Sequence, residues 1–249
     1  MYGYGKTDKG KIRKGNEDSI FVSNDKIGPL PTLYIVADGM GGHNAGEVAS
    51  NLSIKYFTEY ALENNFDNDE FLDFIIGGTK FSNDKVFDDS KKNPAELYGM
   101  GTTFSLCVID NDRLFISHVG DSRVYKINEN EIIQLTQDHT YVNEMVRLGQ
   151  ITKEEAKTHP DKNKILRALG FQDIISIDGS SETIDKDDLI LICSDGLSNM
   201  ISDVDIKNIA LNTENIEDAV NKLVDLANVN GGEDNISVIL IRKKVGEEK

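Results

Sequence analysis

Apolar residues in this chain fall into short runs separated by polar punctuation, and elsewhere into stretches where they recur every third or fourth position. The short runs predict strands at about 19–23, 33–37, 102–109, 113–119, 122–127, 131–135, 173–180, 188–193 and 236–242, rich in branched residues and bounded by turn formers. Asn111-Asp112 and Asn128-Glu-Asn130 suit tight connections between neighbouring strands. Many strands follow one another directly, which predicts mostly antiparallel sheets.

Helical spacing interrupts the strands in two blocks. Ala45, Val48, Ala49, Leu52, Tyr56 and Tyr60 share one face, with Asn44 and Glu47 placed as a cap pair. A second helix at about 70–87 uses Phe71, Phe74, Ile75, Gly78 and Phe81 and is weakened by Gly77-Gly78. Two more are expected near 203–211 and 215–228, the last with Ala219, Leu223, Leu226 and Ala227 on one face. Strands in the middle and amphipathic helix pairs on either side predict two packed sheets flanked by helices. Between Asp138 and Arg167 lies a polar, mostly helical insertion with few residues to anchor it, read as a mobile flap at about 138–167.

Composition narrows the function classes. At 249 residues and 39% hydrophobic, the chain can bury a full core, and no linker or repeat divides it, so residues 1–242 are expected to form one domain with a charged tail at 243–249. The net charge of −16 leaves no basic stripe for nucleic acid or an anionic membrane. It does not exclude an anionic substrate, because metal ions and one or two arginines can invert the field locally. No apolar leader or bilayer-length segment is present, and Cys107 and Cys193 sit inside apolar runs as buried thiols, so the expectation is a cytoplasmic protein. Monomer is the default.

Acids border the apolar runs in four segments: Leu33-Tyr-Ile-Val-Ala-Asp38-Gly39, Leu114-Phe-Ile-Ser-His-Val-Gly-Asp121, Leu189-Ile-Leu-Ile-Cys-Ser-Asp195-Gly196 and Asp234-Asn-Ile-Ser-Val-Ile-Leu-Ile241. Each acid sits where a strand begins or stops, and strand ends can bring distant acids together. Aspartates held close repel one another and take up protons unless a cation neutralises them, so the pattern points to a carboxylate-bound Mg²⁺ or Mn²⁺ centre.

Further motifs stand in order along the chain: Arg13-Lys-Gly-Asn-Glu17-Asp18, Val36-Ala-Asp38-Gly39-Met-Gly-Gly-His43-Asn-Ala-Gly-Glu47, Gly99-Met-Gly-Thr102-Thr103, Gly120-Asp121-Ser122-Arg123, Asp138-His139-Thr140, Ser194-Asp195-Gly196-Leu197 and Asp234-Asn235. In this order they resemble the metal-dependent protein serine/threonine phosphatases of the PPM (PP2C-type) family, most of all its single-domain bacterial members. The likeness runs from about residue 9 to residue 241. It implies an α+β fold, a four-layer α-β-β-α sandwich, and hydrolysis of phosphoserine and phosphothreonine at two Mn²⁺ or Mg²⁺ ions, with a third possible. It also implies phosphorylated proteins as substrates and an opposing bacterial serine/threonine kinase.

By resemblance, Asp38 bridges the two metals, the carbonyl of Gly39 completes one, and Asp195 and Asp234 bind the other. Asp18 and Glu17 hold metal-bound waters, Asp121 with Asp195 matches a third metal position, and Arg13 grips the substrate phosphate. Elementary chemistry agrees with those roles. Two hard cations about 3.5–4 Å apart can share a water, lower its pKa and present hydroxide in line with the leaving oxygen, with no side-chain nucleophile. Arginine offers phosphate a planar, bidentate partner. Gly39 is expected because a carbonyl must turn toward a metal there, through unusual dihedrals and close approach.

Taken singly, each motif has a plainer reading. Asp38-Gly39 and Asp195-Gly196 could end strands in turns, Glu17-Asp18 could be a solvated face, Asp121 a turn residue, and Asp234-Asn235 a loop capping the last strand. Arg13 with Lys11 and Lys14 could be an exposed basic edge. His43 could orient substrate, donate a proton, or sit in a surface loop; His118 reads as a core residue and His139 as a brace for the flap. Met40 stands where many eukaryotic relatives carry a histidine assigned as general acid, and methionine has no proton to give. The rivals are a catalytically dead phosphoprotein-binding module and a hydrolase for other phosphate esters; a nucleotide loop at Gly39–Gly46 lacks the spacing.

Overall fold

The computed structural model describes residues 1–42, 45–66, 70–92, 94–97 and 99–242. His43, the cap assigned to Asn44 and the tail at 243–249 lie outside the described residues. In chain order the elements are β1 (Tyr2–Asp8), β2 (Asp18–Ser23), β3 (Leu33–Met40), α1 (Ala45–Glu63), α2 (Phe71–Lys92), α3 (Pro94–Leu97), β4 (Gly101–Thr102), β5 (Phe104–Asp110), β6 (Arg113–Val119), β7 (Arg123–Ile127) and β8 (Ile132–Gln134). There follow α4 (Tyr141–Arg147), α5 (Lys153–Thr158), β9 (Asp178–Thr183), β10 (Leu189–Cys193), α6 (Asp195–Ser198), α7 (Asp203–Asn212), α8 (Ile216–Val229) and β11 (Ile236–Arg242).

The strands form two sheets, β1-β11-β10-β7-β8 and β2-β3-β5-β6-β9, with β4 on β3. Every pairing among the described residues is antiparallel. Period-two alternation divides each inner strand between two cores. On β3, Leu33, Ile35 and Ala37 meet Phe57 of α1 and Phe74 of α2, while Tyr34 and Val36 face the other sheet. On β10, Leu189, Leu191 and Cys193 pack with Ile206 of α7 and Leu223 of α8, while Ile190 and Ile192 point between the sheets. The result is the α-β-β-α order the sequence predicts. Both faces of these strands are covered, so they read as unbroken apolar runs. Each fully buried Leu or Ile contributes roughly 1.5–3 kcal/mol.

Two strands depart from the expectation. β1 went unpredicted because its glycines depress strand propensity. They are there for packing: a Cβ at Gly3 would lie 2.4 Å from the Tyr34 ring, and β1 pairs with β11 along its whole length. β9 begins at Asp178, later than the expected 173, because the apolar Ile174 that suggested a strand is 87% exposed in the preceding loop.

The space between the sheets changes character along its length. At one end it is filled by Tyr34, Ile109, Leu114, Ile190, Ile239 and Ile241. Continuing each alternating row to the other end gives Asp18 on β2, Asp38 on β3, Ser105 on β5, His118 on β6, Ser194 after β10 and Ser237 on β11. Register fixes this coincidence, since Asp18 lies opposite Asp38, Val36 opposite Ser105, and Ser105 opposite His118. One mouth of the sandwich is therefore polar.

Candidate metal centre

Asp38 sits in the last turn of alternation on β3, and its backbone is clamped from three sides. Its amide donates to Thr103 Oγ1 at 2.9 Å, and its carbonyl accepts from the Thr103 amide at 2.8 Å and Thr102 Oγ1 at 3.0 Å. Thr103 in turn meets Ser122 Oγ at 2.7 Å across to the other sheet. The Asp38-Gly39 pair is no turn, because β3 continues to Met40 and pairs with β4. Gly39 is required for close approach rather than for unusual dihedrals: its φ is not positive, and a Cβ there would lie 2.1 Å from the Gly46 carbonyl oxygen of α1.

Strand ends of both sheets supply the other acids. Asp195 opens α6, accepts from Asn199 Nδ2 at 3.0 Å, and is followed by Gly196, whose added Cβ would strike the Asn235 carbonyl oxygen at 2.0 Å. That contact presses the start of α6 against the segment carrying Asp234. Asp121 lies in the β6–β7 link, where Gly120 takes φ +110 and packs on Thr103. Asp18 is held by Ser194 Oγ, which donates to its Oδ2 at 2.8 Å.

Register and contacts bring these acids to one mouth, and their electrostatics reflects it. The Asp38 carboxyl is pushed well above its ordinary range, first by burial and then by Asp18, Asp195, Asp121 and Asp234. Burial, with neighbouring aspartates adding to it, raises Asp18 to about 7, Asp121 to about 8 and Asp195 to about 6. Glu17 is raised mainly by burial, against the pull of Arg13, and lies beside the first turn of α1. Arg13 arrives from the β1–β2 loop and donates to Asp234 Oδ2 at 2.7 Å.

The donors suit a hard cation. Asp18 Oδ1 and Asp121 Oδ1 are buried without a hydrogen-bond partner, a costly state that a bound divalent ion relieves. All are oxygen ligands, which favours Mg²⁺ or Mn²⁺ over softer metals. Among the described residues no three Asp, Glu, His or Cys side chains form a ready-made cage. Ions here would complete their shells with carbonyl oxygen and water, as Mg²⁺ commonly does.

Some supporting residues carried no assigned role in the sequence. Asn235 is buried; its Oδ1 accepts from the Glu17 amide at 2.9 Å while its Nδ2 donates to the carbonyls of Lys9 and Gly15, so one amide pins the Arg13 loop to Asp234. Arg123 grips Asp138 through Nε and Nη2 at the root of the flap. His118 and His139 are placed as core residue and brace. His118 is buried between Ser105 Oγ and the Gln137 carbonyl, and burial lowers it to about 4. His139 Nδ1 accepts from the Gly120 amide and Nε2 faces Asp178 Oδ2, while Asp178 Oδ1 accepts from Arg167 Nη1.

The segment read as a flap holds α4 and α5, joined at its root by the Thr140–Ile165 bridge and by Leu166 N donating to the His139 carbonyl at 2.7 Å. Thr140 caps α4 and Thr152 forms a capping box with Glu155 on α5. Of the two helices, only Val142 is buried.

Comparison with known proteins agrees with the geometry. Residues 9–236 match the family described as protein phosphatase 2C. The chain is 37% identical over 238 residues to the protein phosphatase PhpP of Streptococcus pneumoniae, covering 94% of each. It is similar to the serine/threonine phosphatase Stp1 of Staphylococcus aureus, with a TM-score of 0.90 and 34% identity over 98% of this chain and 95% of that one. It also resembles the catalytic domain of the phosphatase PstP in complex with 2 manganese ions, with a TM-score of 0.82 and 32% identity over 96% of each chain. A polar mouth of aspartates between two sheets and a likeness spanning nearly the whole chain lead to one assignment: it belongs to the protein phosphatase 2C family, the metal-dependent phosphoprotein phosphatases.

Proposed function

We propose that this chain hydrolyses phosphoserine and phosphothreonine in proteins by direct attack of water at a dinuclear Mn²⁺ or Mg²⁺ site. The observation that carries the reading is the pair of buried carboxylate oxygens without a donor, Asp18 Oδ1 and Asp121 Oδ1, at a mouth where Asp18 lies opposite Asp38 and Ser194 ties it to the segment that opens with Asp195. Asp38, the Gly39 carbonyl, Asp195 and Asp234 would hold two ions, with Asp18 and Glu17 fixing coordinated waters and Asp121 with Asp195 offering a third position. When bound, the ions supply positive charge for the phosphate and lower the pKa of water so that it can attack.

The chain's own residues bind and orient. Arg13 is half exposed, so its guanidinium can leave Asp234 and take phosphate oxygens once that carboxylate has a cation. Ser194 fixes the Asp18 carboxyl, and Thr103 fixes the Asp38 backbone, so neither ligand needs to reorganise. Met40 gives no proton to the leaving alkoxide, which takes it from water or from His43. The flap, tied down at its root and lightly packed beyond it, would close over bound substrate. A monomer opposing a serine/threonine kinase in the cytoplasm fits this chemistry, and no helix among the described residues is long and apolar enough to cross a membrane.

The test is hydrolysis of a phosphothreonine peptide with Mn²⁺ present, compared with EDTA and with Asp234→Asn. Activity should require the metal and be lost in the variant. Full turnover in EDTA would overturn the proposal.

A further inference from the structure

The β1–β2 loop departs from the rest of the molecule in charge. Residues 9–15 read Lys-Gly-Lys-Ile-Arg-Lys-Gly, four cations and no acid, in a chain of net charge −16. Arg13 is engaged with Asp234, but Lys9, Lys11 and Lys14 are exposed and none joins an ion pair among the described residues, and Lys11 and Lys14 are the two nearest Arg13.

The loop is also held in place. Gly10 takes φ +77 against the Asp234 carbonyl, the amides of Lys11 and Ile12 donate to the Gly232 carbonyl, and Asn235 grips the carbonyls of Lys9 and Gly15. The Lys11 side chain runs over Gly232, two residues from Asp234. A fixed backbone therefore carries Lys11 and Lys14 on either side of Arg13 at the rim of the mouth. Ordering the backbone ahead of binding removes the part of the entropic penalty that a flexible basic loop would incur.

We propose that Lys11 and Lys14 form a docking strip for acidic residues beside the phosphorylated side chain, so that acidic phosphopeptides are the preferred substrates. This rests on the phosphatase reading above. The chain's overall negative field opposes such peptides at long range, but at physiological salt it is screened beyond roughly 8 Å, whereas a peptide seated in the mouth lies against the strip.

The experiment measures kcat/KM in Mn²⁺ for phosphothreonine peptides of equal length with acidic, neutral or basic flanks, using the full chain and Lys11→Glu and Lys14→Glu. An aryl phosphate, which has no flanks, monitors folding and chemistry. The expected result is an acidic preference carried by KM, falling about fivefold for each reversed lysine, the scale of an exposed ion pair exchanged for a repulsion, and shrinking as salt rises. Equal kcat/KM for the three peptides, or an acidic preference that survives both reversals, would overturn the docking strip while leaving the phosphatase standing. No turnover of either substrate class in Mn²⁺ would overturn both.

Discussion

The aspartate mouth between the sheets and the root of the segment holding α4 and α5 are both built on aspartates. At the flap root, Asp138 receives a bidentate grip from Arg123, and Asp178 is shared by Arg167 and His139. The Asp178 carboxyl is accordingly held below its ordinary value by those partners, although burial pulls the other way. In the mouth, Asp121 lies two positions before Arg123 yet keeps a buried oxygen with no donor, and its carboxyl is raised to about 8. The flap-root acids are fully paired, whereas Asp18 and Asp121 each keep one buried oxygen without a donor, a state that a cation would relieve. The difference lies in the partners provided, not in residue type.

The largest effect that sharpens this contrast is on activity. Asp38→Asn should reduce phosphopeptide turnover at least ~100-fold, since it removes the charge on which the other ligands converge. The same variant in EDTA should unfold at a higher temperature than the parent, because it relieves repulsion among the remaining acids. A variant that is both inactive and less stable would count against reading the mouth as under-satisfied. Arg123→Ala at the flap root should behave in the opposite way, losing about 3 kcal/mol by stranding Asp138, as urea titration would show.

A pH series separates the two regions further. Acids whose folded pKa is raised bind more protons folded than unfolded, so they stabilise less as pH climbs from the unfolded to the folded value. Asp18 at about 7 and Asp121 at about 8 place that loss within reach of neutral buffers. In EDTA the melting temperature should fall between about pH 7.5 and 8, where an unfolded histidine of ordinary pKa about 6.5 is already about nine-tenths neutral, so that the lowered His118 and His139 add little there. Added Mn²⁺ should flatten the slope. The smallest expected change is from Thr152→Ala, which removes the capping box of α5 at about 1 kcal/mol. It should speed amide exchange within the flap and leave the sheets unchanged, because α5 buries no side chain.

Much of this was legible in the sequence where local pattern and burial coincide. β3, β10 and β11 lie between two covered faces, so they appear as apolar runs with an acid at one end, and the acids could be placed before any coordinates. β1 was hidden because its key residues are glycines chosen to fit the Tyr34 ring, a tertiary demand with no local signature. Asn235 was visible as part of a motif, yet its role depends on hydrogen bonds to Lys9, Gly15 and Glu17, more than two hundred positions away. The turn reading of Asp38-Gly39 failed for a similar reason, since only the approach of Gly46 explains the glycine.

The most direct test of the central claim is anomalous scattering from crystals soaked in Mn²⁺. The account predicts at least two peaks inside the mouth, one shared by Asp38 and another beside Asp195 and Asp234, with the first lost in Asp38→Asn. Manganese bound only at the outer surface, or a mouth left empty at saturating metal, would contradict it.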